Sequence, residues 1–352
     1  MRRSVLIVGV VLVALFSSGC TQKAKLRVYN WVDYIDPSLV TEFETANNCK
    51  VSIDTYGTNE EMLEHLMEYP GKYDIACPSG DHLQILQNMN LIEKLDKELI
   101  PNYSNLDLEI LQKNSSYDTN NEYGIPYFWG VSGIAYNRNL VDLNPESEVS
   151  WDILSDARYK GKIILLEDRR DLVGTALILL GCDPNDTSEE NLTRAYEVLK
   201  RWDENGAIYH SPNQKKEISD NESCLAMAYN GDANSTIKDF PFIDYVLCKE
   251  GSTFWIDSLV IPKKAKNKEL AYKFINYLCS PEIAARNADY VRYPSPNKTA
   301  YDTLISPEMK NNKTIYPDST YLKKCIPLNY IGDQTTKIDS LWELLEPGSK
   351  KL

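Results

Sequence analysis

The chain has 352 residues, with 51 acidic against 38 basic side chains and a net charge of −13 at neutral pH. A surface this acidic repels nucleic acid, keeps the protein soluble and draws cations toward it. Its three histidines, His65, His82 and His210, stand in no metal-ligand or nucleophile–base motif, and neither Gly-x-Ser-x-Gly nor a phosphate-cradling glycine loop occurs. No cofactor, no metal and no catalytic residue is therefore expected.

In chain order, Arg2 and Arg3 precede an apolar run over 5–16, the layout of a signal peptide ending at residue 19. As a helix the run rises about 18 Å, short of the ~30 Å that a spanning segment must cross. It closes on Ser17-Ser18-Gly19-Cys20, which resembles the lipobox of bacterial lipoproteins, although Ser17 replaces the usual larger aliphatic residue. Lipidation of Cys20 is expected, with acyl chains holding the protein at a lipid bilayer and residues 20–24 as a short tether. An ordinary cleaved signal is the other reading. Loss of Arg2 and Arg3 leaves 36 basic against 51 acidic residues, a net charge of −15. About 330 residues then remain, enough for two packed domains. Their seven cysteines, Cys49, Cys77, Cys182, Cys224, Cys248, Cys279 and Cys325, are odd in number, scattered and free of any Cys-x-x-Cys. They predict mainly buried thiols, with room for one bridge.

The first hundred residues alternate strand and helix. Strands are predicted over 25–31, 51–56 and 73–77, and helices over 37–47 and 60–69, the pattern of parallel βαβ units. Ligands in such sheets bind beyond the carboxyl ends of the strands, where Trp31 and Ser79 lie. Residues 124–137 read as two extended segments around Gly130, suited to carrying the chain from one lobe to another. A second α/β series follows, with strands over 161–166 and 224–229 and helices near 172–181 and 188–203. The latter carries Thr187, Ser188, Glu189 and Glu190 at its start, where hydroxyls cap free amides. Residues 253–262 are again extended, and Asn267 can cap a helix whose apolar positions recur at helical spacing.

What the chain offers chemically is aromatics beside carboxylates at the ends of elements: Trp31 and Tyr34 around Asp33, Tyr229 near Asp232, Trp255 with Asp257, and Tyr293. In an extended segment Trp255 and Asp257 face one side. An aromatic face attracts a cation and a carboxylate bonds an ammonium, so the pair suits chains that alternate methylenes with charged nitrogens. Each residue taken singly is more often core packing, a cap or a solvated group.

Together YNWVDYI, YDIACPS, IPYFWG, FWIDSLVIP, KNKELAYKFINYL and YPSPN resemble, in order, the spermidine/putrescine-binding proteins of bacterial ABC importers. The resemblance runs from about Lys25 to the end. It implies a two-lobed α/β periplasmic-binding-protein fold with the ligand cleft between lobes, closing on its ligand without catalysis. On that plan 25–131 and 258–300 form lobe one, and 132–257 and 301–352 form lobe two. The implied ligand contacts are Trp31, Tyr34, Ser79, Asp168, Asp171, Ser211, Trp255, Asp257 and Tyr293, with Asp171 where a glutamate is common. Four departures bear on ligand length: Asp81 stands where spermidine binders have an aromatic, Tyr229 where Trp is common, Val32 where a hydroxyl can sit, and Leu328 near a polar amide position. Asp33 is acidic as in putrescine-preferring relatives. The implied partners are putrescine or spermidine, the membrane permease of an ABC importer and the lipid bilayer, with no nucleic acid, for a monomer at the extracytoplasmic face. A receptor for another cationic or organic solute, a polyamine sensor and a carboxylate-dependent surface enzyme are the alternatives.

Overall fold

The computed structural model of the chain describes residues 23–143, 148–209 and 214–345. The expected signal peptide, Cys20 and Ser211 lie outside the described residues. Among the described residues no helix is long and apolar enough to cross a membrane.

The first unit is built as the alternation predicts. Strand β1 (Ala24–Trp31) leads to helix α1 (Pro37–Asn47), β2 (Cys49–Tyr56), α2 (Asn59–Glu68), the short β3 (Ile75–Ala76) and α3 (Gly80–Asn88). The strands form a parallel sheet in the order β2-β1-β3. Asp36 starts α1 by accepting from the Ser38 amide at 2.8 Å, with Pro37 preset for the first turn. Thr58 caps α2 while Glu61 reaches back to the Gly57 amide at 2.9 Å. Leu26, Leu39, Phe43 and Ile75 are buried in the core. Phe43 meets Phe274 edge-on at 4.8 Å, which fastens α1 to α9 (Lys268–Leu278), and truncating it to Ala would cost about 3–5 kcal/mol.

After α4 (Leu108–Asn114) the chain enters β4 (Ile125–Asn137), and here expectation and structure differ. Residues 125–137 are one continuous strand, buried throughout, that changes partner along its length. Ile125 to Val131 pair antiparallel with β9 (Thr253–Leu259), and Ser132 to Tyr136 pair antiparallel with β7 (Leu225–Tyr229). Gly130 marks no break. It is small because the Trp255 indole and the Asn230 amide lie where a Cβ would be.

The second unit follows: β5 (Ile163–Leu165), α5 (Arg169–Leu179), α6 (Glu189–Glu204), β6 (Ile208–Tyr209), α7 (Gln214–Ser219), β7, α8 (Asn230–Asp239) and β8 (Ile243–Val246). Its strands continue the sheet that β4 and β9 begin, in the order β10-β9-β4-β7-β5-β6, where β10 is Ile326–Pro327 and β8 pairs with β4. Helix α5 starts three residues earlier than expected because Asp168 caps it through the Asp171 amide at 2.9 Å. Two other caps differ. Ser188 precedes α6 without a side-chain capping bond, and Asn267 turns its amide to the Lys25 carbonyl instead of capping α9. The stretch expected in lobe two from residue 301 is divided, since Ile305, Met309, Ile315 and Tyr316 pack in the first core and Ile338, Leu341 and Trp342 in the second. Among the described residues all seven cysteines are free thiols, six of them buried.

Candidate ligand-binding site

Lobe one supplies the deep end of the cleft. Asp257 lies on β9 where the strand bridges to Ser79, and it is only 4 % exposed. Tyr34, in the turn after β1, donates its hydroxyl to Asp257 Oδ2 at 2.7 Å, and Ser79, at the start of α3, donates to Oδ1 at 2.7 Å. Burial pushes the Asp257 carboxyl up to about 7; the two hydroxyls oppose the rise, and the charges of Asp81 and Asp232 add to it. A cation beside the carboxyl would favour the ionised form that burial disfavours.

The walls are aromatic. Trp255 is set edge-on to Tyr229 at 5.9 Å and to Tyr293 at 5.3 Å, and Tyr293 meets Tyr34 at 5.3 Å. The same-face reading of Trp255 and Asp257 therefore holds, since both converge on the Tyr34–Tyr293 pair. The Trp255 ring nitrogen is buried without a hydrogen-bond partner. Gly231 is the second position where a missing side chain makes room, because the Tyr293 ring lies against its Cα. Trp31 is half-buried, donates to the Cys77 carbonyl at 2.9 Å and tilts against Tyr56 at 4.5 Å, so part of its role is to pack the strand ends.

Lobe two faces this wall with Asp168, bonded by the Tyr229 hydroxyl at 3.2 Å. Asp168 is exposed, yet loss of solvation around its carboxyl, followed by the charges of Asp81 and Glu60, raises it above the usual range. Asp232, in the first turn of α8, is likewise pushed up to about 6 by burial, against a hydrogen bond from Tyr293. Sequence pairing put Asp232 beside Tyr229 and outside the expected contacts, whereas the start of α8 turns it to Tyr293. Asp33 is exposed at the mouth, held at a left-handed φ of 53°, with Val32 exposed beside it.

Two expected contacts are otherwise engaged. Asp81 accepts from the amide of His82 at 2.8 Å and lies 3.2 Å from its ring Nδ1. Burial works to raise the Asp81 carboxyl, but the His82 ring, with help from Arg170, outweighs it and holds it low. Asp171 is 2 % exposed and accepts from Ser132 and Thr253, away from the cleft. Neither hydroxyl stands out in sequence, because each meets Asp171 only once the strands cross. Among the described residues no group of three or more His, Cys, Asp or Glu could hold a metal ion.

Two separately cored α/β lobes sharing crossing strands, with a charged aromatic cleft between them, define the two-lobed class of periplasmic binding proteins. The chain belongs to the bacterial extracellular solute-binding proteins, whose family model matches residues 38–317. It is 36% identical over 347 residues to the spermidine/putrescine-binding periplasmic protein of Escherichia coli (strain K12), covering 98% of each chain. It is 30% identical over 349 residues to the putrescine-binding periplasmic protein of the same organism, covering 95% of this chain and 93% of that one. Among solved structures, the spermidine/putrescine ABC transporter substrate-binding protein of Streptococcus pneumoniae superposes with a TM-score of 0.81 at 33% identity, covering 92% of this chain and 99% of that one. A lipoprotein of Treponema pallidum matches with a TM-score of 0.81 at 26% identity, covering 91% and 99%. The first three of these relatives are described as binding proteins.

Proposed function

We propose that the protein captures a linear polyamine, putrescine or spermidine, at the extracytoplasmic face and hands it to the permease of an ABC importer, without catalysis. The observation that carries this reading is the buried Asp257 carboxyl, bonded by Tyr34 and Ser79 and standing beside the Trp255–Tyr293 wall. The relatives' names, which include spermidine and putrescine, support the same ligand class.

One ammonium pairs with Asp257 in lobe one and the other with Asp168 in lobe two, while Trp255, Tyr229, Tyr293, Tyr34 and Trp31 cover the methylenes and face the charges. Asp232 and Asp33 add negative potential at the mouth. A ligand that bridges Asp257 and Asp168 binds the closed arrangement better than the open one, which is the differential affinity that closure requires. The preferred ligand is the diamine putrescine, with spermidine also bound, because Asp81, whose charge is felt at both Asp257 and Asp168, is engaged by His82. Residues 25–131 with 258–300, and 132–257 with 301–352, are the lobes that move, apart from the 254–257 and 301–325 stretches, which travel with the first. The acyl anchor on Cys20 holds the receptor beside its permease.

A thermal-shift panel of putrescine, cadaverine, spermidine, spermine, arginine and betaine tests the ligand class. Stabilisation by the polyamines alone is expected, and a response to arginine or betaine without one to putrescine or spermidine would overturn it. Product formed from any of the six would make the protein an enzyme. Detergent partitioning of wild type and Cys20→Ala tests the anchor, which requires that only wild type enter the detergent phase.

A further inference from the structure

Asp168 and Asp171 stand one helical turn apart at the start of α5, yet their carboxyls face different ways. Asp168 opens on the cleft and is bonded there by Tyr229. Asp171 points into the protein, with Oδ2 accepting from the Ser132 hydroxyl and Oδ1 from the Thr253 hydroxyl. Both donors are fully buried and lie 3.4 Å apart. They mark the crossing itself: Val131 is the last residue of β4 paired with β9, Ser132 is the first paired with β7, and Thr253 is the first residue of β9. Burial, followed by the charge of Asp168, pushes the Asp171 carboxyl up to about 7, and its charge is still felt at the Tyr229 hydroxyl. The carboxyl thus stands next to the cleft without opening on it.

We propose that the Thr253 and Ser132 hydroxyls set ligand length by holding Asp171 in the hinge, so that this carboxylate is withheld from a third ammonium. This rests on the polyamine reading above. An ammonium buried without a partner loses its hydration for nothing in return, so spermidine is penalised at that end while putrescine is untouched. Thr253 and Ser132 act through Asp171 and touch no ligand themselves.

Calorimetric titration of putrescine and spermidine into the purified protein and its variants tests this. In Thr253→Val/Ser132→Ala the freed carboxylate should raise the spermidine-to-putrescine affinity ratio about tenfold, and adding Asp171→Asn should remove the gain. Asp171→Asn alone should leave the ratio at its wild-type value. An unchanged ratio in the double variant would overturn the inference, as would an about tenfold selective loss of spermidine in Asp171→Asn alone. Should the double variant not fold, the near-isosteric Thr253→Val carries the same expectation at about threefold, with Thr253→Ser, which keeps the hydroxyl, remaining at the wild-type ratio. Binding of neither polyamine by wild type would sink the functional reading as well; binding of both with a ratio that no variant moves would sink only this one.

Discussion

Replacing Asp257 by Asn removes a charge and almost nothing else. The amide is isosteric, Tyr34 still donates to its carbonyl oxygen, and Ser79 turns from donor to acceptor for the new NH₂. In the empty protein the charge is a liability. The unfolded chain gives up this proton near 3.8, whereas the folded carboxyl keeps it until about 7, so the fold binds the extra proton between those values. The contribution of Asp257 to the stability of the empty protein therefore falls as pH rises from about 4 and levels off above about 7, with at most about 4 kcal/mol lost across the window. Asn carries no such loss, and the empty variant should melt higher than wild type, with a gap that widens from pH 5 to pH 8. Ligand binding moves the other way. An ammonium beside the neutral amide that replaces Asp257 lacks its counter-charge in a buried site, and truncating such a pair costs about 2–5 kcal/mol, at least about thirtyfold in affinity. Scanning fluorimetry of the empty protein and calorimetry with putrescine, both at pH 8, read the two effects separately. A variant that melts lower than wild type when empty, or binds within about threefold of it, refutes the reasoning.

Putrescine affinity should rise with pH up to about 7 and then hold, because Asp257, at about 7, must ionise to hold its ammonium and Asp232, at about 6, to add its charge at the mouth. Binding below that pH releases protons, measurable by calorimetry in buffers of different ionisation enthalpy, and a flat affinity from pH 5 to 8 contradicts it. Trp255→Leu removes the ring between Tyr229 and Tyr293. It should weaken putrescine about tenfold and abolish most of the ligand-induced change in tryptophan emission, and an unaltered emission change would place the responding ring elsewhere. Gly130→Ala sets a methyl against the Trp255 indole and Asn230 Oδ1. Overpacking of about 1–3 kcal/mol should lower the melting temperature and displace Trp255, so binding weakens too, and a wild-type melt with wild-type affinity would show that the strand yields instead.

Local chemistry was enough to read the first lobe. Period-two and helical patterns specify β1, α1, β2 and α2 from their own neighbours, and the alternation implies a parallel sheet. The same-face pairing of Trp255 and Asp257 also follows from strand geometry, since side chains two apart share a side whatever the strand packs against. What the pattern could not supply is the partner across the chain. Gly130 reads as a break, but only the Trp255 indole arriving from β9 makes it a contact. Asp171 reads like Asp168, two acids at one helix start, and only the crossing of β4 and β9 brings Ser132 and Thr253 onto it. Asp81 reads as a free acid at the cleft, and its ring contact with His82 depends on how α3 turns that side chain back. The sequence by itself determined the lobes' elements and the kinds of side chain in the cleft, because propensity, capping and period act within a few residues. Tertiary structure alone decided which carboxylates face the ligand, because a hydrogen bond between residues 82 positions apart, like that of Thr253 with Asp171, leaves no local trace.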